Sequence, residues 1–248
     1  MWTPAALSSE AKPYSGDIWR VVEAQSRAST MRITDTLDEQ AVLESLIEEV
    51  KPAMPSDCAR LHWLLSAPFR YGPYPHGSRF RRVDQQEGVY YAGETVETAV
   101  AEIAFYRLLF FAESPGTKLP DRPVEHTAFS VRCRARLAID VSKPPLDRDS
   151  AIWTHPVDYG PCQDLADSAR LAAIEAVRYR SVRDPDDGMN VALLSPRAFA
   201  ASRPRTMQTW RLYVRPRGVQ AWCEYPPSAK EYEAAHFRQD PRLANLLD

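Results

Sequence analysis

The stretch Gly88-Val-Tyr-Tyr-Ala-Gly-Glu-Thr-Val-Glu-Thr-Ala-Val-Ala-Glu102 runs from a short strand into a helix, and its reading decides what surrounds it. A valine and two tyrosines between glycines form an aromatic, β-branched run of strand type. Tyr90 and Tyr91 are adjacent on that strand and therefore face opposite ways. Thr95 offers a side-chain oxygen to the free amides of a first helical turn, and Glu97 suits the positive end of the helix dipole. The helix continues as Ala99-Val-Ala-Glu-Ile-Ala-Phe-Tyr-Arg-Leu-Leu-Phe-Phe-Ala112. It spans about four turns and is apolar nearly all round, so it is expected to be buried. Glu102 and Arg107 are its only charges.

Upstream, Thr36-Leu-Asp-Glu39 reads as a capping box, followed by Val42, Leu43, Leu46, Ile47 and Val50 on one face of a helix that Pro52 ends. Residues 1–35 show no clean period and are expected to form an irregular or partly helical arm. A short helix is expected at Cys58–Leu65, then a stiff extended loop, Pro68-Phe-Arg-Tyr-Gly-Pro-Tyr-Pro-His-Gly77, leading into Ser78-Arg-Phe-Arg-Arg82. Downstream the pattern predicts strands at Thr127–Cys133 and Leu137–Val141 and a helix over Pro161–Val177. Two more strands are expected at Tyr179–Val182 and Asn190–Leu194, separated by the turn Asp184-Pro-Asp-Asp-Gly188. A hairpin of Gln208–Val214 and Val219–Cys223 turns at Arg217-Gly218. The tail from Pro226 reads as polar and partly helical. Strands and helices mingle without strict alternation, which predicts an α+β fold: a mixed, largely antiparallel sheet with flanking helices, and not a doubly wound nucleotide fold. The expected division is an N-terminal arm and amphipathic helix over 1–55 and a second domain over 56–248.

The 248 residues are 44% apolar and 26% charged, enough for a substantial core. The first ten residues lack the basic and apolar regions of a signal peptide, and the expectation is a soluble, cytoplasmic protein with no membrane partner. Four scattered cysteines are expected to be reduced, with Cys133 and Cys223 read as small core residues. No C-x-x-C or H-E-x-x-H spacing occurs, so no metal is expected. Net charge is −2, which gives no bulk attraction to nucleic acid. With only 9 glycines the chain has neither phosphate-cradling glycine motif, so an anionic ligand must be held by side chains. Arginine suits that task because its planar fork grips phosphate oxygens in pairs.

Glu102 is the most informative residue. A carboxylate within an apolar helix is costly unless paired or hydrogen-bonded. Either it neutralises an arginine such as Arg79 or Arg107, or it lines a pocket as a catalytic group on a rigid element. Arg107 is five positions away, a poor spacing for an intrahelical pair. Arg79 reads as an anion clamp or a surface arginine beside Arg81 and Arg82. Tyr91 and Ser181 are ordinary taken singly.

Taken together, Gly77-Ser-Arg-Phe80, Val89 to Glu102, Tyr179-Arg-Ser-Val-Arg-Asp-Pro185 and Asn190-Val-Ala-Leu-Leu194 resemble the RES-domain family, named for its Arg, Glu and Ser. The resemblance runs from about Pro68 to Trp222; residues 1–55 carry no matching word. Members are the toxin halves of bacterial toxin–antitoxin pairs. The resemblance implies a fold like the ADP-ribosyltransferase toxins, NAD+ as substrate, no metal, and an Xre-like helix-turn-helix antitoxin as partner. By position, Arg79 is similar to the family's phosphate-binding arginine, Tyr91 to its pocket tyrosine, Glu102 to its catalytic glutamate and Ser181 to its pocket serine. The Tyr91–Glu102 interval fits the family without a gap, whereas Tyr90 requires one. Arg70 is similar to an arginine of longer members. The catalytic set implied is Glu102, Tyr91 and Arg79, and the NAD-binding set is Arg79, Tyr91, Ser181 and Arg70. The ADP-ribosyl group would pass to water, to phosphate or to a protein target. The competing readings are a non-catalytic module that binds a nucleotide or partner in an arginine-lined pocket, and direct nucleic-acid binding through Arg79, Arg81 and Arg82, with Phe80 and Tyr90 stacking.

Overall fold

The computed structural model describes residues 2–24, 33–70 and 76–246. It is α+β. Helix α1 (Pro4–Glu10) is capped by Thr3 and leads into strand β1 (Lys12–Glu23). Helices α2 (Leu37–Val50) and α3 (Trp63–Arg70) precede strand β2 (Tyr90–Gly93) and the long helix α4 (Val96–Glu113). Strand β3 (Val124–Asp140) follows, then helices α5 (Ser150–Trp153) and α6 (Gly160–Leu171). Strands β4 (Ala176–Arg180), β5 (Met189–Leu193), β6 (Thr206–Arg215), β7 (Gly218–Cys223) and β8 (Ser228–Glu233) complete the sheet.

The eight strands lie in the order β1-β2-β5-β4-β3-β6-β7-β8, and β1 pairs with β3 as well. Five strands thus close on themselves, and β6, β7 and β8 extend from the other edge of β3 as successive antiparallel partners. The β3–β4 pairing is parallel over Ala138–Asp140, and the other pairings are antiparallel. Helix α4 packs on one face: Val100, Phe105 and Leu108 meet Trp210 and Leu212. On another face α6 covers Ile139, Val177 and Tyr179. Ile18, Tyr90, Phe129, Val131 and Leu193 fill a third cluster.

Several expectations are corrected. Residues 12–23, read as part of an irregular arm, are a strand paired along β3 from Lys12↔Ala138 to Glu23↔His126. Their burial falls on Ile18 and Val21, three apart, which hides the two-residue period of a strand. Of the rest of that arm, residues 4–10 form α1, and residues 1 and 25–32 lie outside the described residues. The short helix begins at Trp63 rather than Cys58 and runs through Pro68 to Arg70; of the expected extended loop, 71–75 lie outside the described residues. Thr127–Cys133 and Leu137–Val141 are one strand, and the helix expected to reach Val177 ends at Leu171, where Ala173 takes a positive φ of 56° and the chain turns into β4. The tail contains β8, whose polar sequence is that of a strand with one edge unpaired. The Thr36–Glu39 capping box forms, but Val42, Leu46 and Val50 of α2 are exposed. Helix α4 is not buried all round either: Tyr106 and Phe110 are about half exposed.

Candidate active site

A cleft of about 260 Å³ opens where β1, β2 and α4 meet the segment after β4. Glu102 reaches it from the second turn of α4, a helix fixed at its start by Thr95, whose Oγ1 accepts from the amide of Thr98 at 3.2 Å. Glu102 is half-buried. Its Oε1 accepts from Ser181 Oγ at 2.7 Å and from Asn190 Nδ2 at 2.6 Å. No salt bridge to Glu102 forms among the described residues; Arg107 is paired instead with Glu23 at 2.9 Å. The carboxylate is oriented by two neutral donors and lines the cleft.

Arg79 lies in the opposite wall, buried, with Nη1 donating to the carbonyl of Trp153 at 2.7 Å. Its guanidinium carbon stands 4.8 Å from the centre of the Tyr159 ring, a cation–π stack that fixes the plane of the fork. Tyr91 also lines the cleft; its hydroxyl meets Ser78 Oγ at 2.8 Å and accepts from the amide of Phe80 at 2.9 Å. Tyr90 points the other way, fully buried edge-on to Phe199. Burial raises the pKa of Tyr91, and at Tyr179 the nearby Glu102 carboxylate adds to burial, so the phenols stay neutral. Ser181 is buried beside the cleft: its Oγ donates to Glu102 and accepts from the amides of Arg183 at 3.1 Å and Asp184 at 3.0 Å. Arg70 is not brought to the cleft. Its guanidinium is bound to the Pro52 carbonyl and the Glu48 carboxylate, both at 2.7 Å. Arg82 forms ion pairs with Asp164 and Asp167 of α6, so Arg79, Arg81 and Arg82 do not make one open basic patch.

Three residues that sequence reasoning had not singled out complete the walls. Asn190 and Arg183 sit within quoted words of the sequence, and their spacing from Ser181 was the available signal. Arg20 comes from β1, where no pattern marked it. Its guanidinium carbon is 4.9 Å from the centre of the Tyr90 ring, and its Nη1 is buried without a hydrogen-bond partner among the described residues. Burial pulls the pKa of Arg20 down, with the Tyr90 phenol acting against it.

The α+β fold thus sets one hydrogen-bonded carboxylate, three arginines and several neutral phenols around one cleft. Residues 54–215 match the RES domain, and the chain belongs to the RES-domain family. No curated protein matches the chain. Among solved structures, a chain in the crystal structure of the M. tuberculosis MbcT–MbcA toxin–antitoxin complex is 11% identical, with 84% of this chain and 92% of that chain covered at a TM-score of 0.48.

Proposed function

We propose that this protein is the toxin of a bacterial toxin–antitoxin pair and that it breaks the nicotinamide–ribose bond of NAD+. The observation that carries the reading is Glu102, half-exposed in a cleft and fixed by Ser181 and Asn190 rather than neutralised by an arginine. Membership of the RES-domain family supports the same reading, in which Arg79, Glu102 and Ser181 take the places of the family's Arg, Glu and Ser.

The chemistry suits the residues. Nicotinamide departs from a positively charged glycosidic nitrogen, taking the bonding electron pair and leaving neutral, so no general acid is required. Positive charge develops on the ribose, and a preorganised carboxylate stabilises it. The Glu102 carboxylate supplies that charge, and the neutral ring of Tyr91 offers a stacking surface for nicotinamide. The guanidiniums of Arg79 and Arg20 are suited to the diphosphate. A cleft of about 260 Å³ is small beside pockets that enclose a whole ligand, roughly 300–1,000 Å³, so on this reading it takes the nicotinamide, its ribose and the diphosphate, not the whole dinucleotide. The acceptor that then adds to the ribose, and loses its proton, is water, phosphate or a side chain of a target protein. The partner implied by the family is an Xre-like helix-turn-helix antitoxin, and the setting is the cytoplasm.

Incubation with NAD+, with and without phosphate and candidate proteins, tests the reading. The expected result is nicotinamide release that falls at least about a hundredfold in Glu102→Gln. Release no greater than that of Glu102→Gln would sink the enzyme reading and leave a nucleotide-binding module. Expression of the wild-type chain without antitoxin is expected to stop growth, and Glu102→Gln to permit it.

A further inference from the structure

The RES-domain match ends at residue 215, yet the chain beyond it returns to Arg183, a residue that lines the cleft. After β8, residues 234–246 run as two 3-10 segments against α4. Phe237 packs edge-on to Phe105, ring centres 5.4 Å apart, and Leu243 is fully buried in the same cluster. Between them Asp240 is also fully buried. Its Oδ2 accepts from Arg183 Nη2 at 2.8 Å, and Arg242 grips both carboxylate oxygens, with Nε on Oδ1 at 2.9 Å and Nη2 on Oδ2 at 2.7 Å.

Arg183 is itself a wall of the cleft and is 4% exposed. Its Nη2 also donates to the carbonyl of Pro156 at 2.7 Å, so both side-chain bonds sit on one nitrogen, and Nε and Nη1 bond to no described residue. The guanidinium lies 3.7 Å from the centre of the Phe105 ring, which restricts its plane. A cation this deeply buried keeps one position only while its counter-ion stays in place.

We propose that Asp240 is a positioning residue: the C-terminal segment clamps Arg183 through Nη2 so that its other N–H groups serve the diphosphate of the substrate. This rests on the NAD+ reading of the cleft. Ser181 and Glu102 are held independently, because the Asp184 amide also binds Ser181 and Thr98 of α4 donates to the Asp184 carboxylate at 2.7 Å. Loss of Asp240 therefore affects substrate binding before it affects the carboxylate.

The test is steady-state nicotinamide release by wild type, Asp240→Asn, Asp240→Glu and Leu243→Ala, with thermal melts of each. Asp240→Asn is expected to raise the KM for NAD+ about tenfold and to change kcat less than about threefold. Leu243→Ala, which loosens the same segment without touching Arg183, is expected to lower the Tm and leave KM in place. Should Asp240→Asn fail to fold, Asp240→Glu carries the test: it keeps the charge, displaces Arg183, and is expected to raise KM several-fold. A wild-type KM in the folded Asp240 variants, or an equal KM increase in Leu243→Ala, overturns the proposal. A wild-type protein that releases no nicotinamide overturns the NAD+ reading first and this proposal with it. Release with an unchanged Asp240→Asn KM overturns this proposal alone.

Discussion

Oε1 of Glu102 takes two hydrogen bonds, from Ser181 and from Asn190, and each holds the same oxygen from a different strand end. A hydrogen bond to a charged group contributes roughly 1.5–3 kcal/mol. If that orientation is needed where positive charge develops, Ser181→Ala is expected to lower kcat by roughly ten- to a hundredfold. Asn190→Ala belongs in the same range. The double variant should lose less than the product of the two, because both act on one atom. Single-turnover measurement of nicotinamide release at saturating NAD+ reads this directly. Arg79, Tyr91 and Glu102 line one cleft with Ser181 beside it, and each lies in a short word of sequence whose order resembles a family. Arg70 stands apart from them: a loop-adjacent arginine carries no local sign of its direction, and the Glu48 and Pro52 partners that hold it are set by tertiary packing.

At the scale of elements, the loop from Ser181 to Gly188 decides whether those two donors stay in register. Gly188 leaves no room for a side chain, since a Cβ there would run into Thr98 Oγ1 and the Asp184 carboxylate, the same pair that anchors the loop on α4. Gly188→Ala is expected to force that hydrogen bond apart and lower kcat more than Tm; a melt and a rate assay on one preparation compare the two. A second junction stabilises β2 against β4. Arg178 binds Glu94 through Nε and Nη2, both at 2.8 Å, and also Asp140, while Tyr14 of β1 donates to Glu94 at 2.8 Å. Burial works to raise the Glu94 carboxyl, but Arg178 and Tyr14 outweigh it and hold it below the ordinary value of 4.5. A depressed folded value means this stabilisation is present above pH 4.5 and is lost as pH falls through the folded value. Glu94→Gln is expected to cost about 1–3 kcal/mol at pH 7, a Tm loss of several degrees. The gap to wild type should close as the pH drops below 4.5, and melts from pH 7 to 3 check the sign. The strand–helix unit from Tyr90 to Glu113 was readable in the sequence because cap, periodicity and apolar length agree. Strand β1 was not, because its pairing with β3 and its place beside the cleft suppress alternation.

Across the whole molecule, β1 links fold and site: it closes the five-strand ring by pairing with both β2 and β3, and it delivers Arg20 to the cleft. These two roles are separable by experiment. Deleting residues 2–24 would strip the long edge of β3 and expose a row of unpaired backbone groups, so the shortened chain is expected to aggregate, as size-exclusion chromatography would report. Arg20→Ala keeps the strand and removes a single cation. That cation has a buried Nη1 with no hydrogen-bond partner among the described residues, an arrangement that costs stability rather than adding it. A residue that weakens the fold yet lines the cleft is a candidate for the binding wall of the proposed site. Arg20→Ala is therefore expected to melt at or above the wild-type temperature while its KM for NAD+ rises about tenfold or more. Parallel melts and nicotinamide-release kinetics decide it: a lower Tm with an unchanged KM would make Arg20 a structural residue and remove it from the binding wall.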